Sequence, residues 1–228
     1  NTSESKIITV EDPVEYRLPG INQVQVHEKI DLTFSRVLRT ALRQDPDVIL
    51  VGEMRDQGTV ETGLRAAMTG HMVFSTLHTN DAVSTPIRLL DMGAPRYMVA
   101  MSLQVVLAQR LLRVICENCG ELTQLPVHEH EWMRLALGSQ AVKAQYRKGR
   151  GCTQCNGTGY FGRTGVYEML EMTRPVVEAA NQPDPVVFMQ AARKQMEGRM
   201  LKDHAVELVV QGKTTVGEAM RIGSQLDD

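Results

Sequence analysis

Two short apolar runs, at 48–51 and 72–77, constrain the fold of this chain more than any other feature. Val48, Ile49, Leu50 and Val51 are continuous, the pattern of a strand buried on both faces of a parallel sheet. The run over 72–77 has the same form, and the stretch 59–68 between them has room for about three helical turns, the length of a crossover. The two runs therefore read as parallel strands of one sheet. Each ends in a residue with chemistry: Gly52-Glu53 after the first and His78 after the second. Ligands of open α/β sheets bind at the carboxyl ends of the strands, so this pairing reads as a nucleotide hydrolysis site.

A single Glu or His after a strand is ordinarily a solvated loop residue. A third stretch of the same form changes the weight. Lys6-Ile7-Ile8-Thr9-Val10 reads as a strand and runs into Glu11-Asp12-Pro13-Val14-Glu15, where Pro13 ends the ladder by removing a donor. Strand ends that supply Glu or Asp, Glu and His are the elements of metal-assisted hydrolysis.

These residues carry a resemblance. Ile8-Thr9-Val10-Glu11-Asp12-Pro13-Val14-Glu15 resembles the Asp box of the secretion ATPase superfamily. Residues 48–56 resemble its atypical Walker B, with Glu in place of the usual Asp, and residues 69–81 resemble its His box. The likeness continues through Gln109-Arg110-Leu111 and the cysteines over nearly the whole chain. Gly58 departs from it, standing where the family has Glu. Retraction-type relatives lack the cysteine pairs, so the resemblance implies an assembly-type ATPase of type II secretion or type IV pilus biogenesis.

The fold so implied is α/β: a partial RecA-like ATPase core with a parallel sheet over 1–113, a small tetracysteine zinc-binding subdomain over 114–160, and a mostly helical C-terminal subdomain over 161–228. In the implied site Glu15 is the general base, Glu53 serves magnesium directly or through water, and His78 lies near the γ-phosphate. Glu11 and Asp12 support them, and Arg55 and Asp56 complete the cofactor-binding set. ATP and Mg2+ are the implied ligands, with a homohexamer and an inner-membrane platform protein as partners of the full-length protein. No Gly-x-x-x-x-Gly-Lys-[Ser/Thr] occurs in the sequence, the motif whose amides, lysine and hydroxyl cradle phosphate and magnesium. In the family it precedes the Asp box, behind a further N-terminal domain. The expectation is a C-terminal part of a longer ATPase, inactive by itself. Two alternatives stay open: a zinc-stapled interaction module without catalysis, and a DNA-uptake or conjugation relative sharing the same boxes.

Cys116-x-x-Cys119 and Cys152-x-x-Cys155 each offer two thiolates on one tight turn, and together they complete a four-thiolate zinc site. His128 and His130 are spare ligands, but four thiolates already satisfy the ion. The segment 120–151 is longer than a compact ribbon of about 15–20 residues needs, so a helical excursion over 128–137 is expected. The second knuckle also resembles one repeat of the zinc domain of J-domain co-chaperones, which repeats the motif four times. Hydrophobic residues make up 43% of the chain, charged residues 23%, and the net charge is −2. Charge alone thus gives no ground for a nucleic-acid or membrane-surface binder. No run approaches the roughly 20 apolar residues of a membrane span; the expected location is the cytoplasm, peripheral to the inner membrane.

Elsewhere the periodicity predicts edge strands or a hairpin over 16–30 and a helix from Asp31 or Thr33 to about Gln44. That helix carries Arg36, Arg39 and Arg43 on its outer face, read as a solvated stripe, with a neighbouring subunit or phosphate as the alternative. Helices are predicted over 83–92, 95–115, 185–198 and 200–211, a strand over 166–170, and a last helix opened by a Thr215–Glu218 capping box.

Overall fold

Strands β1 (Ile7–Glu11), β2 (Asn22–Gln25), β3 (Val48–Val51) and β4 (Met72–Ser75) form one sheet in the order β2-β1-β3-β4. Every neighbouring pair is parallel, with Val10 opposite Val51 and Val51 opposite Ser75. This register brings the carboxyl ends of β1, β3 and β4 level with one another. Val10, Ile49 and Val51 are fully buried, whereas Val48 and Leu50 are half-buried and Met72 and Phe74 on edge strand β4 are exposed. Strand β3 is therefore less enclosed than its unbroken apolar run predicts.

The computed structural model describes residues 1–2 and 4–224. The chain divides into two compact units, the first of residues 1–79, 83–106 and 171–192, the second of 80–82, 107–170 and the residues from 193 onward.

In the first unit, helix α1 (Phe34–Ala41) starts at Thr33, whose hydroxyl accepts from the Arg36 N–H, and tightens into a 3-10 turn over Leu42–Gln44. Phe34, Val37, Leu38 and Ala41 are its buried face, the i, i+3, i+4, i+7 set that packs on a sheet. Arg36, Arg39 and Arg43 lie on the exposed side, and the Arg36–Asp31 pair at 2.5 Å is solvated and contributes little. Helix α2 (Gln57–Met68) is the crossover between β3 and β4. Helices α3 (Ser84–Asp91) and α4 (Arg96–Ser102) follow.

The helix predicted over 95–115 stops at Ser102, and the chain continues as β5 (Val105–Ile115). The physical reason lies in alternation: Val106 and Leu112 turn inward, and Val105, Leu107 and Leu111 turn outward. Its partner β8 (Tyr160–Glu171) begins six residues before the predicted strand, and the two form a sheet of their own. Pairing with β8 overrides the local preference of the Leu, Ala, Gln and Arg in β5 for helix.

In the second unit, β6 (Gly120–Thr123) and β7 (Tyr146–Gly149) pair antiparallel, with α5 (Val127–Leu137) making the excursion between them. Leu112, Met133, Val166, Leu201, Ala205 and Ile222 form much of its core. Helix α6 (Arg174–Ala180) and most of α7 (Pro185–Gln195) belong to the first unit, and α8 (Leu201–Val210) and α9 (Val216–Ser224) to the second. The expected capping box at α9 is only half made. The Thr215 hydroxyl accepts from the Glu218 N–H at 3.3 Å. The Glu218 carboxylate, however, accepts from the Arg113 N–H at 2.9 Å and from its guanidinium at 3.1 and 2.7 Å. Arg113 lies over the Tyr160 ring, 4.1 Å from its centre. No helix among the described residues is long and apolar enough to cross a membrane.

Candidate nucleotide site and metal centre

Glu53 owes its position to a close approach of backbones. The Gly52 N–H donates to the Val10 carbonyl at 2.7 Å. A Cβ on Gly52 would lie 3.0 Å from that oxygen and 3.4 Å from Glu11 Cα, so glycine lets β3 leave the sheet here. The loops after β3 and β4 are then tied together. The Met54 N–H donates to the Thr76 carbonyl at 3.2 Å, and the Thr76 hydroxyl donates to the Gly52 carbonyl at 2.5 Å. Thr76 escaped the sequence reading; a hydroxyl one residue beyond a strand was its only signal.

The Glu53 side chain is 14% exposed. Its Oε1 takes the Arg55 guanidinium at 2.5 Å. Its Oε2 is buried without a hydrogen-bond partner, and His78 Nε2 stands 3.5 Å from it. The imidazole itself is 93% exposed. A buried carboxylate oxygen without a donor costs about 1–3 kcal/mol or more, so this atom is one that a cation or a donor from a ligand would satisfy. Arg55 is held above its ordinary pKa, first by its hydrogen bond to Glu53 and then by that group's charge, with Asp12 and Glu28 adding to it.

The remaining residues of the expected set divide. Glu11 is half-buried and accepts from the Thr9 hydroxyl at 2.5 Å and from Gln23 Nε2 at 3.0 Å, which fixes it against β2. Asp12, on a cis Asp12–Pro13 peptide, is exposed, as is Glu15 on the segment between β1 and β2. Asp56 caps α2, one oxygen accepting from the Thr59 N–H at 2.9 Å and the other from the Thr59 hydroxyl at 2.7 Å. The structure thus joins Glu53, Arg55 and His78, engages Glu11 and Asp56 in local bonds, and leaves Asp12 and Glu15 open to solvent.

The four cysteines converge. Their sulfurs lie within 4.8 Å of one another, with Cys116–Cys152 and Cys119–Cys155 at 3.8 Å and Cys152–Cys155 at 3.7 Å. Tetrahedral coordination at the usual zinc–sulfur length of about 2.3 Å puts sulfurs about 3.8 Å apart. Cys116, Cys119 and Cys155 are buried and Cys152 is half-buried. The Gly151 N–H donates to Cys119 Sγ at 3.3 Å, and the N–H groups of Cys152 and Gly159 donate to Cys155 Sγ at 3.2 and 3.3 Å. The turn backbones cross tightly, since a Cβ on Gly149 would lie 1.9 Å from the Gly159 carbonyl oxygen. Burial pushes the Cys119 thiol up to about 11, while hydrogen bonding with the Asn118 side chain leads in drawing Cys152 down to about 6. The set can hold a metal ion, and His128 and His130 are outside it.

Residues 1–221 match the Type II/IV secretion system protein family. The chain belongs to that family. It is 41% identical to the type II secretion system protein E of Aeromonas hydrophila, over 97% of this chain and 44% of that protein. It is 40% identical to the type IV pilus assembly ATPase PilB of Thermus thermophilus, over 96% of this chain and 24% of that one. Among solved structures it is similar to the pilus retraction motor PilT with bound ADP, at 31% identity and a TM-score of 0.67, covering 96% of this chain and 53% of that one. The chain therefore spans less than half the length of these two sequence relatives. Fold and family agree: a parallel α/β core of the RecA-like secretion ATPases, a four-cysteine cluster and a helical C-terminal part.

Proposed function

We propose that this chain supplies the strand-end half of an ATP-hydrolysing site in a motor for type II secretion or type IV pilus assembly. One observation carries the reading: the buried, unpartnered Oε2 of Glu53 beside His78, at the carboxyl edge of parallel strands. A closed interaction module accounts for the cysteines but has no use for such an atom. The named activities of the relatives support the same reading.

Magnesium fits Glu53, because a hard cation takes oxygen ligands and this oxygen makes no hydrogen bond, with His78 Nε2 3.5 Å away. When bound with ATP, it supplies charge neutralisation on the phosphates. The chain's own residues do the rest. Glu15 accepts the proton of the attacking water, with Glu11 and Asp12 shaping the field around it. Arg55 fixes the Glu53 rotamer. Exposed His78 turns its ring to the phosphate and stabilises the charge that develops there. Asp56 contributes by holding the start of α2. Positioning and electrostatics suffice, since phosphoryl transfer asks for little covalent chemistry from the protein.

The cysteine cluster takes zinc in a structural role, its four thiolates leaving no open position for a substrate. No Gly-x-x-x-x-Gly-Lys-[Ser/Thr] phosphate cradle occurs in these 228 residues, so the chain alone neither hydrolyses ATP nor binds it tightly. The working form is a homohexamer in the cytoplasm, peripheral to the inner membrane and driving a platform protein there. Turnover by the full-length protein tests the reading. Glu15→Gln should keep ATP binding and lose about 100-fold or more in turnover, the range for removal of a general base. Full activity in Glu15→Gln, Glu53→Gln and His78→Ala together rejects it.

A further inference from the structure

Backbone pairing between β3 and β4 runs as far as Val51 and Ser75. One residue beyond it, Thr76 is bonded to the residues on either side of Glu53. Its hydroxyl donates to the Gly52 carbonyl at 2.5 Å, and its carbonyl accepts from the Met54 N–H at 3.2 Å. Both neighbours of Glu53 have a second hold. The Gly52 N–H donates to Val10 on β1. The Met54 side chain is buried against α2, where a Cβ on Gly63 would lie 2.5 Å from Met54 Cε. On the other side of Thr76, Leu77 packs against the same core, and His78 follows it directly. Past His78, the Thr79 and Thr85 hydroxyls share a hydrogen bond at 2.8 Å. All of these residues lie in the first unit.

Thr76 is exposed, and this decides what its hydroxyl is for. Water at such a position can satisfy both the hydroxyl and the Gly52 carbonyl, so the bond adds little to overall stability. What it fixes is geometry. A β-branched side chain has few χ1 choices, which holds the hydroxyl in place. Arg55 sets the Glu53 side chain from its tip, while Thr76 sets its backbone from both sides.

We infer that Thr76 is a positioning residue for the pair formed by Glu53 and His78. Its hydroxyl and carbonyl lock the peptide units flanking Glu53 to the segment that carries His78, so that Glu53 Oε2 and His78 Nε2 keep their separation of 3.5 Å. Thr76 touches none of the reacting groups and is not among the residues assigned to hydrolysis above. The inference rests on the hydrolytic reading for its consequence, and on the hydrogen bonds alone for the bracket around Glu53.

Two variants separate bracket from consequence. Thr76→Val keeps the branched shape and removes the donor, whereas Thr76→Ser keeps the donor. In the 228-residue chain, hydrogen exchange at the Met54 amide should rise by about three- to tenfold in Thr76→Val, the worth of one net hydrogen bond. Thr76→Ser should stay near wild type, and the Val10 and Val51 amides should not change in either. Unchanged Met54 exchange in Thr76→Val overturns the bracket, as does an equal rise in Thr76→Ser. A rise spread over β1 and β3 marks general loosening and overturns it too. In the full-length protein, Thr76→Val should lower kcat for ATP by about tenfold with KM nearly constant, the effect of misalignment rather than lost binding. The half-saturating magnesium concentration should move upward, and Thr76→Ser should restore both. In a Glu53→Gln background, Thr76→Val should add little further loss. Additive losses make the role merely structural and overturn positioning. Full turnover by Glu53→Gln itself overturns the hydrolytic role of Glu53, and the positioning claim with it, while Met54 exchange still decides the bracket.

Discussion

The cysteine cluster and the strand-end site are both built from groups that hold cations, yet they differ in completeness. Each sulfur of the cluster lies close to others at the spacing a tetrahedral ion requires, and backbone N–H groups donate to two of them. At the strand ends, one oxygen of Glu53 is buried without a donor, and His78 projects into solvent. Four thiolates at that spacing leave no open position around an ion, whereas a buried oxygen without a hydrogen-bond partner is one that a cation or a donor could satisfy. Composition does not distinguish the two. The difference lies in what the surrounding backbone has already satisfied.

The comparison breaks most visibly if the cluster is not a metal centre. The chain purified without chelator or oxidant should carry one zinc per molecule by elemental analysis. Cys116→Ser should lose it and destabilise the second unit by on the order of several kcal/mol, because metal binding and folding are one equilibrium. Metal-free protein with an unaltered melt contradicts the closed reading.

Next in size is the effect of His78→Ala in the full-length protein, a loss of about 10–1,000-fold in kcat with little change in ATP affinity, since the ring acts on developing charge. Equal loss in binding and turnover would place His78 in ground-state contact instead. The 228-residue chain by itself should show no sub-micromolar ATP binding by calorimetry. Tight binding there would mean that the strand ends are complete without the phosphate cradle.

The smallest expected effect concerns Glu218, a satisfied carboxylate that contrasts with Glu53 in the same chemical terms. Burial alone would raise its pKa, but the hydrogen bonds from the Arg113 side chain and N–H, with the Arg221 charge, outweigh this and hold it below the ordinary value. A depressed folded pKa adds stability above the unfolded value of about 4.3, and that stability is lost as the pH falls through the lower folded value. Acid unfolding of Glu218→Gln should therefore be flatter than wild type below that range, after a loss of about 1–3 kcal/mol at neutral pH. Identical acid profiles would remove Glu218 from the account.

Strand register explains which parts of this were legible in the sequence. Glu53 and His78 follow apolar runs of parallel strands, so their meeting needed only the periodicity and a short crossover. The cysteine spacing spoke for itself. By contrast, β5 holds good helix formers and an apolar pattern that either period can claim, and only its partner β8, 45 residues or more away by number, decides. Asp56 also carries a readable local signal, an Asp three residues before Thr59, and its side chain caps α2. Val166, Glu168 and Leu170 share the inward side of β8, where a charge demands an explanation. Its partners, two backbone N–H groups from distant segments, leave no mark in sequence.

The magnesium dependence of ATP turnover in the full-length protein, compared between wild type and Glu53→Gln, tests the central claim most directly. The amide keeps the shape of the side chain but removes the charge from the buried, unanswered oxygen. The account predicts turnover that falls by about 100-fold or more at ordinary magnesium and a half-saturating concentration shifted upward, since one charged ligand contact has been lost. Wild-type turnover with an unshifted magnesium curve would contradict it, and would return Glu53 to the status of a loop carboxylate paired with Arg55.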